Sequence, residues 1–146
     1  MQIHHAQMLP ALKVLLVVVI LSCGTLTTPV IAAEDKIVRT SAGISYVSGG
    51  IGTESVSRLS AIRKDFNLKL VFALESGSYV SDVQIRINDR NGNALLDTLS
   101  SGPWFLAQLP SGRYQLVATF SGTPIKQQFT IATTAMNTMH LQWADD

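Results

Sequence analysis

In "YVSGGIGTESVSRL", residues 46 to 59, three glycines lead through Thr53 into a helix-like run. A glycine loop opening a helix can cradle phosphate, because free N–H groups and the helix dipole point at the anion. Two phosphate motifs fail here at named positions. A Walker loop needs a lysine after its last glycine, and none follows Gly52. A dinucleotide fingerprint needs a third glycine, and "GIGTES" has Ser55 there, with no βαβ pattern after it. Glu54 also brings negative charge to the place a phosphate would take. The loop is expected to be a hinge of Gly49, Gly50 and Gly52, with Thr53 as the N-cap of the helix.

Other residue types capable of chemistry are scattered. His140 is the sole histidine after residue 33, and a zinc site takes three or four ligands. It alternates onto the polar face of the last strand-like run. "DRNGN" (89 to 93) is faintly like a calcium loop, but its glycine comes too early and Ser100 stands where the terminal glutamate belongs. A hairpin turn accounts for the same residues, with Asn91-Gly92 as the signal. Asp82, Asp89 and Asp97 supply carboxylates for a hydrolase only if two face each other across a cleft. Tyr79, Trp104 and Tyr114 are candidates for an aromatic surface that binds a sugar or peptide, against the commoner role of such rings in packing.

The elements that must position these residues follow from periodicity. "TESVSRLSAIRKDF" places Val56, Leu59 and Ile62 on one stripe, predicting one short helix. Glu54 suits its positive end, and Arg63 and Lys64 its negative end. After Asn67 the period becomes two. Leu68, Leu70, Phe72 and Leu74 share one face, as do Val83, Ile85 and Ile87, then Tyr114, Leu116, Ala118 and Phe120, then Met139, Leu141 and Trp143. With "ALLDTL", "WFLAQL" and "PIKQQFTI" this makes about seven strands with turn signals between them, the pattern of an antiparallel β-sandwich.

Residues 82 to 131 carry an ordered set of signals: an alternating strand, an Asn-Gly turn, then "LPSGRYQLVATFSG". Through Leu109, Pro110, Gly112, Tyr114 and Gly122 this stretch resembles the carboxypeptidase regulatory-like domains, which have the transthyretin (prealbumin-like) sandwich. The stretch from "YVSGGIG" to the final "LQW" also resembles small exported bacterial proteins with this domain. The resemblance implies the fold and says nearly nothing about activity. The zinc ligands of carboxypeptidases belong to another domain, and no motif here carries transthyretin's hormone site.

The first 33 residues read as an address. Lys13 precedes the apolar run Val14 to Ser22, and small residues at Ala32 and Ala33 mark an exit, the three parts of a secretory signal. The run is about half the roughly 20 residues a spanning helix needs. The rival is a lipoprotein signal, with Cys23 as the lipidated thiol. Cleavage near Ala33 leaves a chain without cysteine, hence without disulfide or thiolate chemistry, and with ten Lys+Arg against ten Asp+Glu. Such a balance argues against nucleic acid as a partner.

The sequence therefore predicts a signal peptide at 1 to 33, a lead-in with glycine loop and helix at 34 to 66, and a mainly β sandwich of the transthyretin-like kind at 67 to 144. The expected role is non-enzymatic: an exported, periplasmic binding or structural module of the bacterial envelope, without cofactor or metal. It would engage an unidentified envelope protein or ligand and have no transmembrane helix in the mature chain. The alternatives are a lipoprotein anchored at Cys23, a small-molecule or glycan binder using Trp104 and the tyrosines, and a carboxylate-based hydrolase.

Overall fold

The computed structural model describes residues 35–132 and 135–145. The predicted signal peptide and Cys23 lie outside the described residues. Two sheets face each other in a mainly β sandwich with one short helix. Strands β1 (Val38–Arg39), β2 (Ser45–Gly49), β3 (Leu68–Leu74), β6 (Trp104–Gln108) and β9 (Asn137–Trp143) form the first sheet, in the order β1-β2-β6-β3-β9. Strands β4 (Gln84–Asp89), β5 (Ala94–Leu99), β7 (Gly112–Phe120) and β8 (Thr123–Ile131) form the second, in the order β5-β4-β7-β8.

The seven strands read from the alternation all form, as β3 to β9. Their inward sets, including Leu68, Leu70, Phe72, Ile85, Ile87, Leu116 and Leu141, close one core between the sheets. One expectation is corrected. The sandwich is not wholly antiparallel, because β9 runs parallel to β3 in a seven-residue register from Leu68↔Asn137 to Leu74↔Trp143. The chain leaves β8 at an edge of the second sheet and crosses to the first, so its last strand arrives in the same sense as β3. Alternation has period two in either direction and cannot report this.

The lead-in is built into the sandwich. β2 pairs with β6 over five residues, from Ser45↔Gln108 to Gly49↔Trp104. It belongs with α1 to the same compact unit as the later strands. Helix α1 (Gly52–Ile62) lies on the outer face of the first sheet, followed by a 3-10 turn at Arg63–Asp65. Leu59 is fully buried there with Val47, Phe66 and Leu106, while Ile62 and Trp104 pack at the margin. Burying a leucine is worth about 1.5–3 kcal/mol, and a helix this short depends on such packing.

Two helix-end expectations are also corrected. The N-cap is Ile51, with no side-chain cap bond, and Thr53 is exposed inside the first turn. The glycine loop brings Gly52 itself into the helix, which moves the N-cap two residues upstream, from Thr53 to Ile51. Arg63 and Lys64 fall in the 3-10 turn, so the last turn of α1 carries no basic residue.

Candidate functional site

The first sheet ends at β9, and the backbone geometry of that edge is specific. Asn137 N–H donates to Asn67 O at 2.9 Å, and Glu75 N–H donates to Trp143 O at 2.8 Å. In a parallel ladder alternate residues of a strand turn both backbone groups to the same neighbour. Asn137, Met139, Leu141 and Trp143 therefore face β3. Thr138, His140 and Gln142 turn their N–H and C=O groups outward, and no described strand pairs with them.

The other sheet edges carry devices that discourage pairing. β8 holds Pro124 and Lys126. β5 holds Asp97 and is set against a register shift at Ile87/Asn88. β1 has only two residues. β9, "NTMHLQW", has no proline, glycine, lysine or carboxylate. Its side chains alternate buried Met139, Leu141 and Trp143 with exposed Thr138, His140 and Gln142. Trp143 is tied down by its indole N–H, which donates to Thr123 O at 2.8 Å.

Beside this edge, on the outer face, lies a cleft of about 190 Å³. Val71 and Ala73 of β3, Gly77, Tyr79, His140 and Gln142 line it. Tyr79 reaches it because residues 78 to 80 fold back along β3, through Leu74 N–H to Ser78 O and Val80 N–H to Phe72 O. Tyr79 is 68% exposed, so its side chain is accessible to a partner.

The three aromatic candidates are not brought together. Tyr114 sits in the core between the sheets, stacked on Phe129 at 5.6 Å, and its hydroxyl donates to Pro110 O at 2.5 Å. Burial, and then the nearby Asp89 carboxylate, push its phenol above the usual tyrosine range. Trp104 lies on the outer face, with the Lys69 ammonium 3.5 Å from its ring centroid. That cation occupies one ring face. Burial, with repulsion from Arg63 second, holds the Lys69 amine below its usual range. On Trp104's backbone side, a Cβ at Gly50 would come within 3.0 Å of the indole Cγ, and Gly50 has a φ of +91°. Both facts call for glycine there.

The glycine loop does meet an anion, one that belongs to this chain. Gly50 N–H donates to Ser55 Oγ at 2.7 Å, and Ser55 Oγ donates to Asp35 Oδ2 at 2.6 Å. Arg58 Nη2 reaches the same oxygen at 3.3 Å. The Asp35 side chain is only 7% exposed. A Cβ on Gly49 would fall 2.2 Å from Asp35 Oδ1, so Gly49 makes the room that this carboxylate fills. The sequence reading put Glu54 in the role of the loop's anion; Glu54 is exposed and lies 3.8 Å from Arg58. Asp35 had no signal of its own, since it lies 20 residues upstream of Ser55.

The remaining candidates are structural. Asp89 accepts from Asn91 N and Asn93 N at 2.8 and 2.9 Å, closing the hairpin turn. These bonds, led by those from Asn93, hold its carboxyl below the usual range. Asp97 pairs with Arg86 at 2.6 Å, and Asp82 receives the Ser81 hydroxyl at 3.3 Å. Among the described residues no three His, Cys, Asp or Glu side chains gather to hold a metal. No described helix is long and apolar enough to cross a membrane.

No family model matches the chain, and no curated protein matches it. Among solved structures it is similar to the 5-hydroxyisourate hydrolase of Klebsiella pneumoniae, at 18% identity and a TM-score of 0.40, over 55% of this chain and 84% of that one. The neighbour is an enzyme. The expectation of a non-enzymatic chain is therefore corrected: likeness to a hydrolase removes the ground for excluding catalysis. At this distance no activity and no residue role passes across.

Proposed function

We propose that this chain is an exported binding module of the bacterial envelope, a carboxypeptidase regulatory-like sandwich that takes an extended segment of a partner protein along β9. The open edge of β9 is the observation that supports this reading. A strand laid there would exchange main-chain hydrogen bonds with Thr138, His140 and Gln142, and such bonds supply affinity in strand addition. Its outward side chains would meet the cleft of Tyr79, Val71 and His140, which supplies selectivity. The aromatic trio does not compete as a joint platform, since Tyr114 is buried and Lys69 covers a face of Trp104.

His140→Pro tests the reading. It removes an outward N–H and leaves the β3 ladder intact, because His140 uses no backbone group on that side. The chain should fold and lose capture of its envelope partner, whereas His140→Ala, which keeps the outward N–H and removes only the side chain, should retain most of it. In the free chain, hydrogen exchange at Thr138, His140 and Gln142 should be fast while that at Met139 and Leu141 is slow. Slow exchange at all five, or capture that survives His140→Pro, sinks the proposal. Export rests on residues 1 to 33, and the intact mass of the secreted chain decides between a start near Glu34 and a lipid added at Cys23.

A further inference from the structure

On the opposite sheet, away from β9, two adjoining clefts of about 560 and 700 Å³ share the residues Asp89, Arg90, Arg113 and Tyr114. Arg90 and Arg113 are exposed, and no side-chain hydrogen bond or close ion pair is found for either among the described residues, although Arg90 lies near enough to Asp89 to favour its charged form. Three other arginines are engaged, Arg58 with Asp35, Arg86 with Asp97 and Arg39 with Ser45, while Arg63 stands in the 3-10 turn beside α1. The one carboxylate lining the clefts, Asp89, is spent on Asn91 and Asn93 in its own turn. Two guanidinium groups thus face the larger polar opening against a single carboxylate that is already hydrogen-bonded.

The floor is neutral and polar. Arg113 stands opposite Thr130, and Gln115 opposite Gln128, in the β7–β8 register. These pairs lie two residues apart along the strands, so the sheet sets the spacing between one cation and two amides. Asn88 continues the Gln115 row on β4, and its buried Oδ1 has no hydrogen-bond partner. Guanidinium groups bind carboxylate and phosphate through paired N–H donors. Amide and hydroxyl side chains bind hydroxyl groups as donors and acceptors. A cleft of this size holds a sugar-sized ligand.

We infer that this cleft binds an anionic saccharide, its carboxylate or phosphate on Arg90 and Arg113 and its hydroxyls on Gln115, Gln128 and Thr130. The inference is independent of β9, which lies on the other sheet. Backbone amide shifts of the whole chain should be followed by NMR during titration with glucuronate, glucose 6-phosphate, neutral glucose and inorganic phosphate. Glucuronate or glucose 6-phosphate should move Arg113, Gln115, Gln128 and Thr130 and leave β9 unmoved. Binding should weaken at least tenfold in Arg113→Gln and in Arg90→Gln, and should fall with added salt. Gln128→Ala should weaken the sugars and spare inorganic phosphate. The proposal is overturned if neither charged sugar shifts these amides at millimolar concentration, if glucose binds equally well, or if inorganic phosphate matches the sugars. It is also overturned if both arginine variants bind like the parent. All three substitutions are at exposed positions, so the fold should survive them.

Discussion

Replacing Asp35 by alanine should destabilise the chain by about 2–4 kcal/mol, although this residue lies at the start of the described chain and in no helix or strand. The carboxylate accepts the Ser55 hydroxyl at 2.6 Å while only 7% exposed, and a hydrogen bond to a charged group contributes about 1.5–3 kcal/mol. Arg58 is 48% exposed, so its 3.3 Å contact adds less than about 1 kcal/mol after solvent screening. For a domain of this size, with a shift near 4 °C per kcal/mol, the melting temperature should drop by about 8–16 °C. Gly49→Ala should cost a similar amount, because its Cβ would fall 2.2 Å from Asp35 Oδ1 and expel the carboxylate. In the Asp35→Ala background the same Gly49→Ala should cost much less, a coupling of about 1–3 kcal/mol. Urea unfolding followed by tryptophan fluorescence measures all four corners of this cycle. An Asp35→Ala change below about 0.5 kcal/mol, or a Gly49→Ala cost that ignores whether Asp35 is present, refutes the claim that the loop is shaped around its own carboxylate.

Three further outcomes are expected. Asn67→Ala should cost about 2–3 kcal/mol in urea melts, because the buried Asn67 amide donates to Leu109 O and accepts from Leu109 N at 2.8 and 2.9 Å. Ser121→Asn should stabilise the β7–β8 turn by a few tenths to about 1 kcal/mol, since Ser121 has a φ of 46° before Gly122 and Asn-Gly suits that turn; a neutral or negative effect argues against strain there. Asp89 titrates below the usual carboxylate range in the folded chain, so its contribution is present above the unfolded value and is lost as pH falls through the lowered folded value. Asp89→Asn should flatten that part of the acid limb, and an unchanged limb counts against the turn's role.

The legible parts of this protein were local. Leu68-Leu70-Phe72 and Val83-Ile85-Ile87 announced their strands because a half-buried sheet repeats every two residues. Asn91-Gly92 announced its hairpin because the turn needs those residue types within four positions. Thr53 misled, because a good capping residue is recognised by type while the helix start is set by where Gly50 and Gly52 turn the chain. Tyr79 and Tyr114 read alike as aromatics beside glycine turns. One is exposed at the rim of a cleft and the other fills the core, a difference set by whether the side chain faces outward or the space between the sheets.

By itself the sequence determined the faces of the seven strands after Asn67, the one helix and the failure of both phosphate motifs, since each depends on neighbours a few residues apart. Only the tertiary structure decided that β9 lies parallel to β3 at an open edge, that Asp35 fills the glycine loop, and that Arg90 and Arg113 share a cleft. Those arrangements join residues about 20 to 70 positions apart. Which strand neighbours which is settled by burying both sheets' apolar faces at once, a condition on the whole chain that no local pattern contains.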